Sequence, residues 1–224
     1  DRRKLIIELY VTDDAVERYP DLFDRAEKAR IQVQMVSEPV LKALTDTTTP
    51  QGVVAVCEQI DVTLQDIIDS KPQLVALLAN IRDPGNAGTV LRAADAAGAD
   101  AVIFSSNSVD VYNPKVVRST TGSLFHLPFA VDIEIDDAIS ALKEAGLQVF
   151  AANGGADEIP SLSAEILAKP TTWVFGNEAW GFEQSTLDQV DREVAVPIYG
   201  AAESLNLATA ASICLYASAF AQNA

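Results

Sequence analysis

A chain of 224 residues, 49% of them hydrophobic, can bury the core of one large domain, or of a small and a medium one. It contains no run of about 20 apolar residues, which excludes a spanning helix, and two cysteines with one histidine exclude a zinc constellation, so no metal is expected. The net charge of −16 weighs against a nucleic-acid partner, because such proteins carry a basic footprint.

The chain opens on Asp1-Arg2-Arg3-Lys4, with no initiator methionine and no secretory signal, which predicts a start inside a longer protein. Leu5 to Val11 reads as a strand. Asp13 or Asp14 can cap a helix running toward Tyr19. Asp21 to Ala29 reads as a second helix, and Gln32 to Val36 alternates like a strand. Glu38 to Leu44 is a short helix. Thr45 to Gly52 is polar and suits a linker, and Val53 to Cys57 is a further strand. This βαβα order defines a first unit, residues 1–58. Residues 1–60 carry 8 Lys and Arg against 11 Asp and Glu, whereas residues 61–224 carry 8 against 21, so the acidity belongs mostly to the later part. Basic residues cluster at Arg2-Arg3-Lys4 and at Arg25, Lys28 and Arg30. A local patch of that kind can meet phosphates within a Debye length of about 10 Å.

Residues 59–224 form the second unit. Strand signals recur at 74–79, 101–104, 129–133, 147–152, 172–176 and 194–198. Helical stretches fall at 64–69, 86–97, 114–119, 136–145, 161–168, 184–189 and 206–221. Alternating β and α elements predict an α/β fold with a mostly parallel sheet covered on both faces. Cys57 and Cys214 lie in apolar surroundings and are expected to be buried thiols in a reducing compartment, which places the chain in the cytoplasm. His126, in Leu124-Phe125-His126-Leu127-Pro128, reads as a packing or hydrogen-bonding histidine.

Three strand-to-loop junctions concentrate the chemistry. Leu74 to Ala79 leads into Asn80-Ile81-Arg82-Asp83-Pro84-Gly85-Asn86 and a helix that carries Arg92. Pro84 fixes φ, and Asn86 can cap the helix through its side-chain oxygen. Trp173 to Phe175 leads into Gly176-Asn177-Glu178-Ala179-Trp180-Gly181. Val194 to Ile198 leads into Tyr199-Gly200-Ala201-Ala202-Glu203-Ser204-Leu205-Asn206 and a long apolar helix. In open α/β sheets ligands sit beyond such carboxyl strand ends. The Gly-rich G-x-G turn of dinucleotide folds is absent, which argues against an NAD enzyme and against a Rossmann-type methyltransferase.

Together and in this order, the three junctions resemble the motifs of the SpoU family of the SPOUT superfamily, S-adenosylmethionine-dependent RNA ribose 2′-O-methyltransferases. The resemblance runs from about Pro50 to the C-terminus. It implies a C-terminal trefoil knot that houses the cofactor, a homodimer, and ribosomal RNA as substrate. Transfer RNA is the alternative, as is a non-catalytic RNA-binding protein on the same fold. The first unit is similar to the family's small RNA-binding domain of ribosomal-protein type, without that domain's usual first strand and helix. By the same resemblance, S-adenosylmethionine would be held near Gly176, Val196, Ile198 and Leu205. Arg92 matches the catalytic arginine of the first motif. An arginine is a poor base at neutral pH, so binding of phosphate or ribose and stabilisation of alkoxide charge are the roles expected of it. Asn80 and Asn86 would order the first-motif loop, and Glu178 would hold Arg92 or the ribose. Ser204 and Asn206 would position the 2′-hydroxyl or that loop, with Asn206 also available as a helix cap. Ala179 follows Glu178 where family members often have glycine. Trp180 could stack on a base or cover the knot or dimer face.

Overall fold

Each short apolar run bounded by turn residues becomes a strand, and each segment with helical periodicity becomes a helix. The computed structural model describes residues 5–224, apart from the side chains of residues 155 and 156; the expected cluster Arg2-Arg3-Lys4 lies outside the described residues. The chain divides into two compact units, Asp1–Ile60 and Asp61–Ala224.

The first unit runs β1 (Ile6–Val11), α1 (Asp13–Arg18), α2 (Pro20–Lys28), β2 (Gln32–Met35), α3 (Glu38–Ala43) and β3 (Val53–Cys57). Its sheet has the order β2-β1-β3, with β2 parallel and β3 antiparallel to β1. Leu9, Val11 and Ala26 form its core, with Val16, Phe23, Ile31 and Val53 packed against them. Cys57 is only partly buried, because it ends an edge strand; its thiol pKa is raised by desolvation.

The second unit contains α4 (Leu64–Asp69), β4 (Leu74–Leu78), α5 (Pro84–Ala97), β5 (Ala101–Ser105), α6 (Pro114–Ser119), β6 (Phe129–Ile133), α7 (Ile135–Glu144), β7 (Gln148–Glu158), α8 (Ala164–Leu167), β8 (Thr171–Phe175), α9 (Gln184–Leu187), β9 (Arg192–Ala195) and α10 (Leu207–Gln222). Its six strands form one sheet in the order β6-β5-β4-β8-β7-β9, and every pairing is parallel. Strands β4, β5 and β8 are buried along their whole length, as a parallel sheet covered on both faces requires. On one face Val75, Leu77, Ile103, Val149 and Val174 pack with Ala138, Ile139 and Leu142 of α7. Trp173 donates its indole N–H to Ser218 Oγ of α10 at 2.9 Å and meets Phe150 edge-on. No helix among the described residues is long and apolar enough to cross a membrane.

Three of the boundaries that differ from the sequence reading have a clear local reason. Helix α5 starts at Pro84 rather than at Asn86. Asp83 is the N-cap, its Oδ1 accepting the Asn86 N–H at 2.6 Å, and proline suits the first helical position. Strand β9 stops at Ala195, just short of Pro197, which has no N–H to give a sheet. Strand β7 runs on to Glu158, pairing twice with β9: Ala152 and Asp157 both lie opposite Val194, so the residues between bulge outward. The last helix is less enclosed than its composition implies. Cys214 and Leu215 are buried, and burial pushes the Cys214 thiol up to about 12, but Phe220 is 72% exposed.

Helix α6 lies against the start of α5, and Gly88 makes this possible. A Cβ at Gly88 would come within 2.6 Å of the Val116 carbonyl oxygen and would collide with the Ser119 side chain. That hydroxyl is engaged with the Pro84 and Val116 carbonyls at 3.0 and 2.9 Å. Gly88→Ala is therefore expected to lower stability by about 1–3 kcal/mol, the usual cost of overpacking. A thermal melt would read this as a lower Tm; an unchanged Tm would mean that the two helices do not touch there.

Candidate active site

Beside the middle of β7 and beyond the carboxyl ends of β8 and β9 lies a cavity of about 350 Å³, within the usual range for small-molecule sites of about 300–1,000 Å³. Ala152, Val194, Val196, Ile198 and Leu205 give it an apolar wall. Asn86, Asn153, Glu178, Ser204 and Asn206 bring polar groups to it. Of the residues singled out by sequence, Gly176, Glu178, Val196, Ile198, Ser204, Leu205 and Asn206 all line this one space; Asn80 and Arg92 do not.

A relay of hydrogen bonds ties the three junctions together. Asn86 Nδ2, at the start of α5, donates to Glu178 Oε1 in the loop after β8 at 3.0 Å. Asn206 Nδ2 donates to Asn86 Oδ1 at 2.9 Å. Asn206 Oδ1 accepts the N–H groups of Ala208 and Thr209 at 2.9 and 3.3 Å, capping α10. The relay has a fixed polarity. A carboxylate at one end only accepts, and helix N–H groups at the other end only donate, so turning over the Asn86 amide would break two bonds and turning over that of Asn206 three. Asn86 is thus freed from capping its own helix and spans the other two motifs instead. Glu178 engages Asn86, not Arg92, among the described residues.

The loop after β8 is held by a residue that sequence reading did not single out. Asn177 is 5% exposed. Its Nδ2 donates to the Asn80 carbonyl at 2.6 Å, and its Oδ1 accepts the Ala179 N–H at 2.8 Å. Its backbone exchanges hydrogen bonds with Gly181 at 3.0 and 2.9 Å, closing a tight loop. Asn80 itself has φ of +54° and donates its N–H to Ser105 Oγ at 2.8 Å, so it shapes the first-motif loop without lining the cavity. The available signal is an asparagine two residues past the end of a fully buried strand, where a polar side chain must find partners.

Gly176 owes its identity to this loop. A Cβ there would sit 2.8 Å from the Gly181 carbonyl oxygen and 3.0 Å from the Phe182 ring. The close approach that glycine permits is that of the chain's own backbone, rather than only that of a ligand. Trp180, at the loop tip, is 57% exposed. Arg92 is exposed on α5, one turn beyond Gly88, with no ion pair or hydrogen bond among the described residues. The next turn of α5 carries Asp95, whose Oδ2 lies 2.9 Å from His126 Nδ1. Partial burial works to raise the Asp95 pKa, but hydrogen bonds from Ser123 and His126 outweigh it and hold the carboxyl below its usual range. His126 therefore makes the hydrogen bond expected of it.

Comparison with known proteins identifies this arrangement. The family model for the SpoU rRNA methylase family matches residues 73–216, and that for RNA 2′-O ribose methyltransferase substrate binding matches residues 1–62. A 23S rRNA (guanosine(2553)-2′-O)-methyltransferase of Bacillus subtilis is 39% identical over 190 residues, covering 83% of this chain and 72% of the relative. A 23S rRNA (guanosine-2′-O-)-methyltransferase of Nitrosomonas europaea is 31% identical over 216 residues, covering 94% and 82%. Among solved structures, an AdoMet-bound rRNA methyltransferase from Sinorhizobium meliloti superposes with a TM-score of 0.82 at 30% identity, covering 95% of this chain and 79% of that one. The SpoU methyltransferase AviRb from Streptomyces viridochromogenes, in complex with AdoMet, gives a TM-score of 0.80 at 29% identity, covering 96% and 82%.

Proposed function

The chain belongs to the SpoU rRNA methylase family, and from that premise we propose the roles that its own residues take in transferring a methyl group from S-adenosylmethionine to a ribose 2′-hydroxyl of ribosomal RNA. The observation that carries the assignment is the Glu178–Asn86–Asn206 relay, which draws three distant motifs around one cavity. The cavity suits the cofactor in size, in its apolar wall, and in the backbone left bare at Gly176. Gly176, Val196, Ile198 and Leu205 would hold the nucleoside through main chain and apolar surface. S-adenosylmethionine, when bound, supplies an activated methyl group on a sulfonium.

The chain's own residues have the remaining work. Asn86, Glu178 and Asn206 fix the loops so that the 2′-hydroxyl approaches in line, which is where much of the rate of such a displacement originates. Ser204 lies beside the relay and offers a hydroxyl to the ribose. Arg92 binds the ribose or its phosphate and offsets negative charge on the 2′-oxygen as the hydroxyl proton passes to solvent water.

Residues 1–58 serve as the RNA-binding unit, a role supported by the substrate-binding family model over this region. The trefoil knot finds support in a strand order that sets β8 between β4 and β7, and in the packing of α10 back onto α5 and β8. A homodimer would cover apolar side chains left on the surface, namely Ile213 and Phe220 of α10 with Ile198, Tyr199 and Leu205. Ribosomal RNA as substrate places the protein in the cytoplasm.

Calorimetric titration with S-adenosylmethionine tests the cofactor site. Gly176→Trp would disrupt the loop itself, so the informative variant is Gly154→Leu: a Cβ at Gly154 meets nothing within 4 Å, and the residue lines the cavity. Wild type is expected to bind and Gly154→Leu to bind at least about tenfold more weakly, about 1.4 kcal/mol, with an unchanged far-UV spectrum. Absence of wild-type binding at saturating ligand would sink the cofactor reading.

A further inference from the structure

The second unit is acidic, and its 8 lysines and arginines are unevenly placed. Lys143 is paired with Asp191 at 2.8 Å and Arg192 lies 3.8 Å from Asp157. Lys71 and Lys169 sit in the turns that enter β4 and β8, at the amino ends of the strands. The other four, Arg82, Arg92, Lys115 and Arg118, are exposed and have no ion pair among the described residues. All four fall on the β4–α5 loop, α5 and α6.

These elements form one surface. Ser119, the last residue of α6, donates its hydroxyl to the Pro84 carbonyl at the first turn of α5. Gly88, one turn on, lies against Val116 and Ser119. Two turns further, Asp95 is held by His126 at 2.9 Å. Gly88, Arg92 and Asp95 share one stripe of α5 by their spacing. The 114–126 segment therefore lies along α5 from Pro84 to Asp95, and α6, which carries Lys115 and Arg118, packs at the end of α5 that holds Asn86, a residue of the cavity wall. Lys115 and Arg118 are three residues apart and share a face of α6.

We infer that Lys115 and Arg118 bind RNA phosphates, and that with Arg82 and Arg92 they form a track along which the backbone of the substrate strand reaches the cavity. The inference rests on the RNA-methyltransferase reading. It also accounts for how a chain of net charge −16 binds a polyanion: counterion release depends on the few cations that meet phosphates, not on the total charge.

The test is the salt dependence of binding to in vitro transcribed 23S rRNA, measured by filter retention over a potassium chloride series. Each phosphate contact contributes about 0.7–0.9 to the slope of log affinity against log salt. The double variant Lys115→Ala/Arg118→Ala is expected to lose about 1.5 from the slope and about tenfold in affinity at roughly 0.1 M salt. Lys71→Ala/Lys169→Ala changes the net charge equally and is expected to leave the slope as in wild type. S-adenosylmethionine affinity and the melting curve should not move in either variant. A slope equally reduced in both variants, or unchanged in the first, would overturn the track. Wild-type protein that binds S-adenosylmethionine but shows no salt-dependent RNA binding would overturn the RNA reading itself.

Discussion

Arg92→Ala is expected to cut turnover about 100- to 1,000-fold, the loss seen when a donor to developing negative charge is removed, with S-adenosylmethionine affinity unchanged. The separation follows from where the residue stands. Arg92 is exposed on α5, outside the cavity lining, and no other described residue engages its guanidinium. Nothing in the cavity wall depends on it, so the cofactor has no reason to bind less well. The substrate, in contrast, would lose the cation that α5 carries, two turns beyond its first residues. Arg92→Lys keeps the charge but not the planar fork, and should retain only part of the activity. Pre-steady-state transfer to 23S rRNA alongside calorimetry would separate the two quantities. A variant that loses cofactor affinity in step with turnover would place Arg92 in the cofactor site and contradict its assignment to the ribose.

The fold was legible because its signals are local. Leu74 to Leu78 is short, continuously apolar and followed by Asp83-Pro84, so a buried strand leading to a capped helix could be read within a dozen residues. The parallel sheet followed from strands and helices alternating in this way. Misplaced boundaries had local causes too, such as choosing Asn86 over Asp83 as the cap when both residue types serve. The site was legible only as a set of members. That Asn86 meets Glu178 and Asn206 is not encoded near any of them, since the partners are 92 and 120 positions away. Gly176 stands out in the sequence, but the Gly181 carbonyl that demands it is visible only in three dimensions. Asn177 does its work on backbone groups, which leave no pattern in side-chain chemistry.

The relay's polarity makes a sharp and unusual prediction for Asn86→Asp, a substitution that scarcely changes size. In the wild type, Asn86 gives a hydrogen to Glu178 and takes one from Asn206. Aspartate keeps the second bond, because Asn206 Nδ2 still finds an oxygen. It destroys the first, because two carboxylates then face each other at about the 3.0 Å now spanned by the hydrogen bond. Two such groups cannot both ionise comfortably, and one of their pKa values rises. Above that raised pKa the pair repels, the loop after β8 parts from α5, and turnover is expected to fall about 100-fold, as displacement of about 1 Å can cause. Below it a shared proton restores a donor between the two oxygens, so activity should recover as the pH falls from about 8 toward about 6. The wild type has no such pair and should show no such recovery. Asn206→Asp attacks the same polarity from the other end. It still caps α10, but it sets an oxygen against Asn86 Oδ1, and turning the Asn86 amide to meet it would set another against Glu178. Glu178→Gln, whose Oε1 still accepts, should be tolerated far better than either. An Asn86→Asp enzyme with wild-type turnover at every pH would show that the three motifs are held together by something other than this relay.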